Sequence, residues 1–584
     1  MYERGTATVN NDKRVISITR PSNFGAVNFT DGSIIDYIDK NILPPYQQVN
    51  DSLGYASGAF QYSFNLKRGE HKDVVIAIPF YKTSPNTPSE ESAGSADIFF
   101  NKELNNNKNY WKNRLDNVKF KLPASADKIV NTLKSNLAYI LINRDGSALQ
   151  PGSRCYERAW IRDGALMSAD LLRMGITKEV KDFINWYSKY QFPSGKIPCV
   201  VDRRGADPVP ENDSQGEYIF LLLQYFKFTK DTSLLRDKWE NIKKTVSYIE
   251  QQINEESTDK NKNGTNEQRS FYGLVPASIS HEGYSAKPMH SYWDDFFVMK
   301  GLKDAVTITE ILGMKKEESE YKVLRDTFRT NLYNSMRLAM KNTGINYIPG
   351  CAELGDFDAT STAIGIFPCG ELKNIPEPQL KNTFDKYYFN FNKRLNPNDN
   401  WINYTPYEIR VAGTFIFLHQ IDRTYKLLNF FFKDQRPEGW NEWAEVVWKD
   451  KNAPKFIGDM PHSWVGSGYI NTVRSLFVYE DESDSTLVLG AGIKNSWLNN
   501  SKGISIDNLP TYYGHLSYSM KRSGKKVFVK LKGSLDSSCK KIILVSPLNL
   551  KIKNVLIDGK SYSSFKGRDI WFPPSSKEIK IEYK

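Results

Sequence analysis

The sequence predicts a mainly α protein: an (α/α)6 toroid of six helical hairpins, flanked by an N-terminal β-region and a small C-terminal β-sandwich. Three observations carry this prediction. Twelve segments with helical hydrophobic periodicity run between residues 125 and 478. Their connections alternate between short turns and long loops, so six long loops would share one face of a ring of antiparallel hairpins. Short strand-like runs punctuated by Gly, Asn, Asp and Pro lie on either side of the helical stretch. A chain of 584 residues is long enough for more than one domain. No repeat of fixed period supports a solenoid instead.

Residues 1–96 read as a β-sandwich, short enough to be a truncated one. Its strands are expected at Val15–Thr19, Ser33–Tyr37, Ala59–Leu66 and Val74–Pro79. Thr83–Ala96 (TSPNTPSEESAGSA) has linker composition. Residues 97–124 form a connecting linker, with a short helix near Tyr110–Leu115. The barrel is expected over 125–482. Its helices fall at 125–143, 163–174, 177–191, 214–228, 231–254, 292–313, 316–341, 357–367, 379–393, 407–420, 423–435 and 464–478. The long loops are 144–162, 192–213, 255–291, 342–356, 394–406 and 436–463. Residues 483–584 read as the C-terminal β-sandwich, with strands at Ser485–Leu489, His515–Met520, Lys526–Leu531, Lys541–Val545, Val555–Ile557 and Ile579–Tyr583.

Composition narrows the function. With 40% hydrophobic and 25% charged residues the chain is globular. The net charge of +12 comes from scattered lysines rather than a basic run interleaved with aromatics, so no nucleic-acid partner is expected. No run reaches membrane-spanning length, so no membrane partner is expected. Met1–Arg14 is too polar for a signal peptide, which implies a soluble, cytoplasmic protein if the chain is complete. The five cysteines lack CxxC spacing, and His281, His290 and His462 lack ligand spacing, so neither a disulfide framework nor a metal or cofactor is expected. No GxSxG elbow supports a Ser-His-Asp triad. Oligomeric state is open.

The long loops hold the chemistry. Tyr156–Ala165 (YERAWIRDGA) sets Trp160, Arg162 and Asp163 at the mouth of an apolar helix. An indole stacks on a sugar ring, and Arg and Asp bond its hydroxyls. A helix capped by Asp163 is the plainer alternative. Loop 192–213 ends in Glu211-Asn212-Asp213, where Asp213 or Ser214 could cap the next helix and Glu211 lies outside the cap position. His281, Glu282, Trp293, Asp294 and Asp295 cluster at another helix mouth, where one of the two Asp would be the cap. Pro437–Trp464 packs Glu438, Glu442 and Glu445 among Trp440, Trp443, Trp448 and Trp464, with His462 beside the last. The Glu442–Glu445 spacing suits one side of a helical turn. Glu445 is the stronger functional candidate, because its apolar surroundings would strand an idle carboxylate. Glycosidic cleavage needs two carboxylates flanking a bond, and these loops supply them from separate segments.

At these residues the chain resembles the six-hairpin glycosidases, and most of all the glucoamylase-like inverting hydrolases. WIRDGAL at 160–166 resembles their W-x-R-D-x-A-L motif, ENDSQGEYIF at 211–220 the segment led by the general acid, and NEWAEVV…DMPHSW the region of the general base. The resemblance covers about 150–480. It implies that Arg162 and Asp163 bind hydroxyls where cleavage occurs, that Glu211 is the acid, and that Glu445, ahead of Glu442, is the base. Trp160, Asp213, His281, Glu282, Trp293, Asp294, Asp295, Glu442, Trp443, His462 and Trp464 are the expected substrate contacts. The family's Glu-Gln pair is absent here, and Ser463-Trp464 stands before the last helix. Phosphorylases share the architecture, and Arg203 and Arg204 keep that alternative open. A non-catalytic carbohydrate-binding protein is another.

Overall fold

The computed structural model describes residues 1–79, 95–281 and 283–584. The expected linker Thr83–Ala96 lies outside the described residues up to position 94, as does Glu282. The chain divides into two compact units, Met1–Arg114 and Leu115–Lys584.

The first unit holds a sheet ordered Tyr2–Glu3, Thr6–Val9, Lys13–Ser17 and Ile76–Ala77, and a separate pair, Asn23–Val27 with Ser57–Gln61. Two expectations fail here. Ser33–Tyr37 is not a strand: Ile34–Ile38 is helical, started by a capping box in which Ser33 and Asp36 satisfy each other's backbone amides. The β-branched IIDYI run misleads, and the cap decides. The supposed short helix near Tyr110 is a 20-residue helix, Ala96–Leu115.

The second unit contains the twelve expected helices. These are α1 (Asp127–Ile142), α2 (Ile161–Arg173), α3 (Lys178–Tyr187), α4 (Ser214–Thr229), α5 (Trp239–Glu256) and α6 (Tyr292–Leu312). Then come α7 (Lys315–Thr343), α8 (Ala359–Ile366), α9 (Gln379–Arg394), α10 (Ile409–Phe417), α11 (Ile421–Phe432) and α12 (Ser463–Phe477). The 231–254 segment divides into Thr232–Asp237 and α5. The 255–291 loop carries two short helices, Asp259–Asn263 and Asn266–Phe271.

The even-numbered helices pack in sequence: α2 on α4, α4 on α6, α6 on α8, α8 on α10, α10 on α12, and α12 back on α2. Each odd-numbered helix packs on an even-numbered chain neighbour, except that α1 lies on α12. Small residues permit the tightest approach. A Cβ on Gly216 of α4 would stand 1.9 Å from the Phe297 carbonyl oxygen of α6, and one on Gly301 of α6 would stand 2.6 Å from Gly216 Cα.

The C-terminal strands form two sheets. The larger is ordered Lys560–Tyr562, Ile552–Ile557, Glu578–Tyr583, Lys526–Gly533, Gly514–Ser523, Ile504–Thr511 and Lys119–Lys121. A strand from inside the expected 97–124 linker therefore edges the C-terminal sheet, pairing Phe120 with Ile506. The second sheet starts at Val478–Asp481, directly after α12. Sequence reading passes over Ile504–Thr511 because Asp507, Asn508 and Pro510 read as breakers; the strand absorbs them in an irregularity between Ile506 and Leu509. One apolar core runs continuously from Val118 to Tyr583, so helices and C-terminal sheets share it.

Candidate active site

The strand Ala159–Trp160 pairs with Val200–Asp202 and delivers the chain into α2. Trp160 is the N-cap residue, and no side chain caps the helix. Asp163 therefore sits inside the first turn, where the helix dipole favours a negative charge.

Arg162 turns its fork onto two carboxylates. Its Nε donates to Asp213 Oδ2 at 2.7 Å and its Nη2 to Glu211 Oε2. Arg162, Glu211 and Asp213 are all buried. Asp213 also accepts from the Trp293 indole at 2.8 Å. Asp213 occupies the N-cap position of α4 without making a side-chain cap bond, so its carboxylate is committed to the site instead. The His281 ring stacks on Trp293 with centroids 4.5 Å apart. Burial pushes His281 down to about 4, which leaves it neutral.

The facing group is built around Glu445. Its two carboxylate oxygens accept from the Tyr156 hydroxyl at 2.5 Å and the Tyr407 hydroxyl at 2.8 Å. The Tyr407 hydroxyl also lies 3.0 Å from His462 Nε2. A phenol has one proton, so with that proton on Glu445, Tyr407 accepts from His462 Nε2–H. Burial pushes His462 down to about 3, consistent with a neutral ring. Trp464 packs on Tyr407 at 4.2 Å and meets Trp293 edge-on at 6.2 Å, which joins the Glu445 side to the Arg162 side. The Arg410 guanidinium lies 4.1 Å from the Trp464 ring centroid.

Asp163 interacts electrostatically with both groups. Burial pushes its carboxyl up to about 7; Arg162 and Arg410 oppose this, while the Glu445 and Glu211 charges add to it. Deeper on α4, one turn beyond Asp213, the fully buried Glu217 is raised well above the usual carboxylate range by burial and then by Asp213. Opposite, Asp459 anchors the 154–156 loop by accepting from the backbone N–H of Arg154 at 2.6 Å and of Tyr156 at 3.2 Å.

The other expected contacts border these groups or belong to the core. Asp294 accepts from Ser278 and Ser280 hydroxyls and the Asn212 N–H, and Asp295 accepts from the Val275 N–H. Neither caps α6, whose N-cap residue is Ser291. They brace the loop that carries Ser280 and His281. Trp443 is core, with its indole donating to the Phe431 carbonyl and its ring 5.2 Å from Tyr469. Glu442 follows Asn441, whose carbonyl accepts from Asn136 of α1; burial pushes Glu442 up to about 7. The expected helical turn across Glu442–Glu445 does not form: Gly439 and Asn441 hold φ of 87° and 58°, and the stretch is irregular. Trp160 packs with Cys199 and Val200 and meets Tyr156 edge-on at 5.5 Å, beneath Arg158 at 5.1 Å. Arg203 and Arg204 are exposed in ion pairs with Glu157 and Asp202.

Sequence reading passed over Tyr156, Tyr407, Arg410, Glu217 and Asp459 as site residues. A signal existed for Glu217, a lone carboxylate in the apolar run GEYIFLLL, and for Asp459, next to Met460-Pro461 in the Trp-rich loop. Tyr407 lies in the 3-10 turn Pro406–Glu408 just before α10 and Arg410 in the first turn of α10, where nothing in the local pattern marks them. Among the described residues no group of three His, Cys, Asp or Glu gathers to hold a metal. No helix among them is long and apolar enough to cross a membrane.

A family model described as the bacterial alpha-L-rhamnosidase 6 hairpin glycosidase domain matches residues 156–347. Among solved structures, the chain is similar to an alpha-L-rhamnosidase from Dictyoglumus thermophilum, at TM-score 0.55 and 12% identity over 80% of this chain and 50% of that one. It is also similar to Streptomyces avermitilis alpha-L-rhamnosidase complexed with L-rhamnose, at TM-score 0.51 and 12% identity over 80% of this chain and 42% of that one. A GH78 family rhamnosidase of Bacillus sp. GL1 matches at TM-score 0.52 and 12% identity over 71% of this chain and 41% of that one. The chain thus spans half or less of the length of these structures, and at such identity the likeness concerns the fold. No curated protein sequence matches it. The resemblance to six-hairpin glycosidases read from WIRDGAL agrees with these findings.

Proposed function

We propose that the chain is an inverting glycoside hydrolase built on an (α/α)6 toroid, with Glu211 as general acid and Glu445 as general base. The observation that carries this reading is the placement of Glu211 and Glu445 in two hydrogen-bonded clusters joined by Trp293 and Trp464, with Asp163 sensing both charges. The closed succession of even-numbered helices supports the toroid. Two phenol donors on Glu445 suit a carboxylate acting as an acceptor, the form a base needs. Glu211 and Asp213 share the guanidinium of Arg162. Tyr156 and Tyr407, both only partly buried, are the aromatic side chains here against which a sugar could pack. The names of the similar structures make a terminal α-L-rhamnosyl unit of an oligo- or polysaccharide the first substrate to try.

The test is hydrolysis of rhamnosides and other oligosaccharides followed by proton NMR of the fresh product. The reading expects an inverted anomer, with turnover lost by orders of magnitude in Glu211→Gln and Glu445→Gln. Glycan binding with no product from any substrate would leave the non-catalytic alternative standing.

A further inference from the structure

Beneath the site, the even-numbered helices line a cavity of about 30 Å³. Its walls are largely apolar, with Leu166, Phe220 and Phe417 among them. Six polar residues also line it: Asp170 and Arg173 of α2, Arg410 and Thr414 of α10, and Ser467 and Asn471 of α12. Arg410 Nη1 and Nη2 and Arg173 Nε and Nη2 are buried and have no hydrogen-bond partner among the described residues; the acceptors Asp170 Oδ1 and Asn471 Oδ1 have none either, so unpartnered donors outnumber unpartnered acceptors. Four unpartnered guanidinium nitrogens beside a largely apolar cavity would cost several kcal/mol if nothing accepted from them.

The charges do not balance either. Arg474, also near Asp170, is neutralised by a two-pronged pair with Glu480. Arg173 and Arg410 have only Asp170 in the cavity, at 3.8 Å from Arg173 Nη1. Burial pushes the Asp170 carboxyl up to about 8, so near neutral pH it adds little negative charge. Toward the catalytic side, Arg410 faces Tyr407, Asp163, Arg162 and Glu217, and the buried Glu217 favours its neutral form. The cavity has room for about two waters or one halide-sized ion. Two waters could donate to Asp170 Oδ1 and Asn471 Oδ1, but they bring no charge. A halide accepts from several donors at once and supplies the missing charge.

We propose that this cavity is a binding site for a small monatomic anion of chloride size, held by Arg173 and Arg410. The anion fixes the guanidinium of Arg410, which stacks on Trp464 and borders Tyr407, and so stiffens the side of the pocket that carries Glu445. Phosphate and sulfate are too large for the space.

The experiment is thermal unfolding of the full chain at constant ionic strength, replacing gluconate by chloride, bromide or sulfate, together with bromide-soaked crystals measured at the bromine edge. The expected result is a saturable rise in Tm of about 2 °C or more with chloride and bromide, no such rise with sulfate, and an anomalous peak between Arg173 and Arg410. Asn471→Asp, which builds a fixed negative charge into the cavity, is expected to abolish the halide response. A flat halide titration, an equal effect of sulfate, or no bromide peak in the wild-type cavity would overturn the proposal. None of these readouts depends on hydrolytic activity.

Discussion

At the scale of single residues, the site rests on hydrogen bonds to charged groups. Each of the two phenols on Glu445 supplies one such bond, of a kind that contributes about 1.5–3 kcal/mol. Tyr407→Phe is therefore expected to lower kcat by roughly tenfold to a hundredfold, with the circular dichroism spectrum unchanged. Steady-state kinetics decide it; wild-type kcat would remove Tyr407 from the machinery. Asp163 sets a pH limit. Its carboxyl, pushed up to about 7 mainly by burial, is protonated below that pH and ionises above it. If the neutral form donates to a sugar hydroxyl, kcat/KM falls as pH rises through about 7, and Asp163→Asn moves or removes that limb. The candidate carboxylates were legible in the sequence because Glu211 and Glu445 have no capping or solvation role to explain them. Their partners were not. Tyr407 lies 38 positions from Glu445, and only tertiary packing brings a phenol and a carboxylate together over that separation.

At the scale of elements, helical periodicity carried nearly everything. All twelve helices were legible, because each buries an apolar stripe long enough to show its period. Short elements were not: the capping box at Ser33 outweighed β-branched composition, and two residues of positive φ undid the helical spacing of Glu442 and Glu445. The α4–α6 contact depends on Gly216. Gly216→Ala drives a Cβ into the backbone of Phe297 and is expected to destabilise by about 3 kcal/mol or more, read as a fall in the denaturation midpoint. Another junction joins α5 to the loops before α6 and α8 through His290, 2.7 Å from Glu353 and 3.5 Å from Glu256. Burial lowers the His290 pKa, but the two carboxylates outweigh it and raise it to about 9. A raised folded-state value means the contribution is complete below the unfolded value of about 6.5 and is lost as pH rises through about 9. The stability gap between wild type and His290→Gln should therefore close over that interval in denaturant titrations.

At the scale of the whole molecule, the C-terminal sheets belong to the same folding body as the helices. Composition alone suggested an appended sandwich, and the shared core could not be read from it, since burial between distant segments leaves no periodic mark. Ionic links strengthen the junction: Lys300 of α6 and Lys227 of α4 meet Glu482, and Arg474 of α12 holds Glu480. A chain ended at residue 482 should aggregate rather than yield a free helical domain, which solubility and light scattering would show. The scattered lysines of the +12 chain form no nucleic-acid signature in the sequence. The central claim is that Glu211 and Glu445 cleave a glycosidic bond with inversion, and the most direct measurement is the anomeric configuration of the first product by NMR. Inverted product, abolished in Glu211→Gln and Glu445→Gln variants that remain folded, is the result expected. Product of retained configuration, or wild-type turnover in either variant, would contradict it.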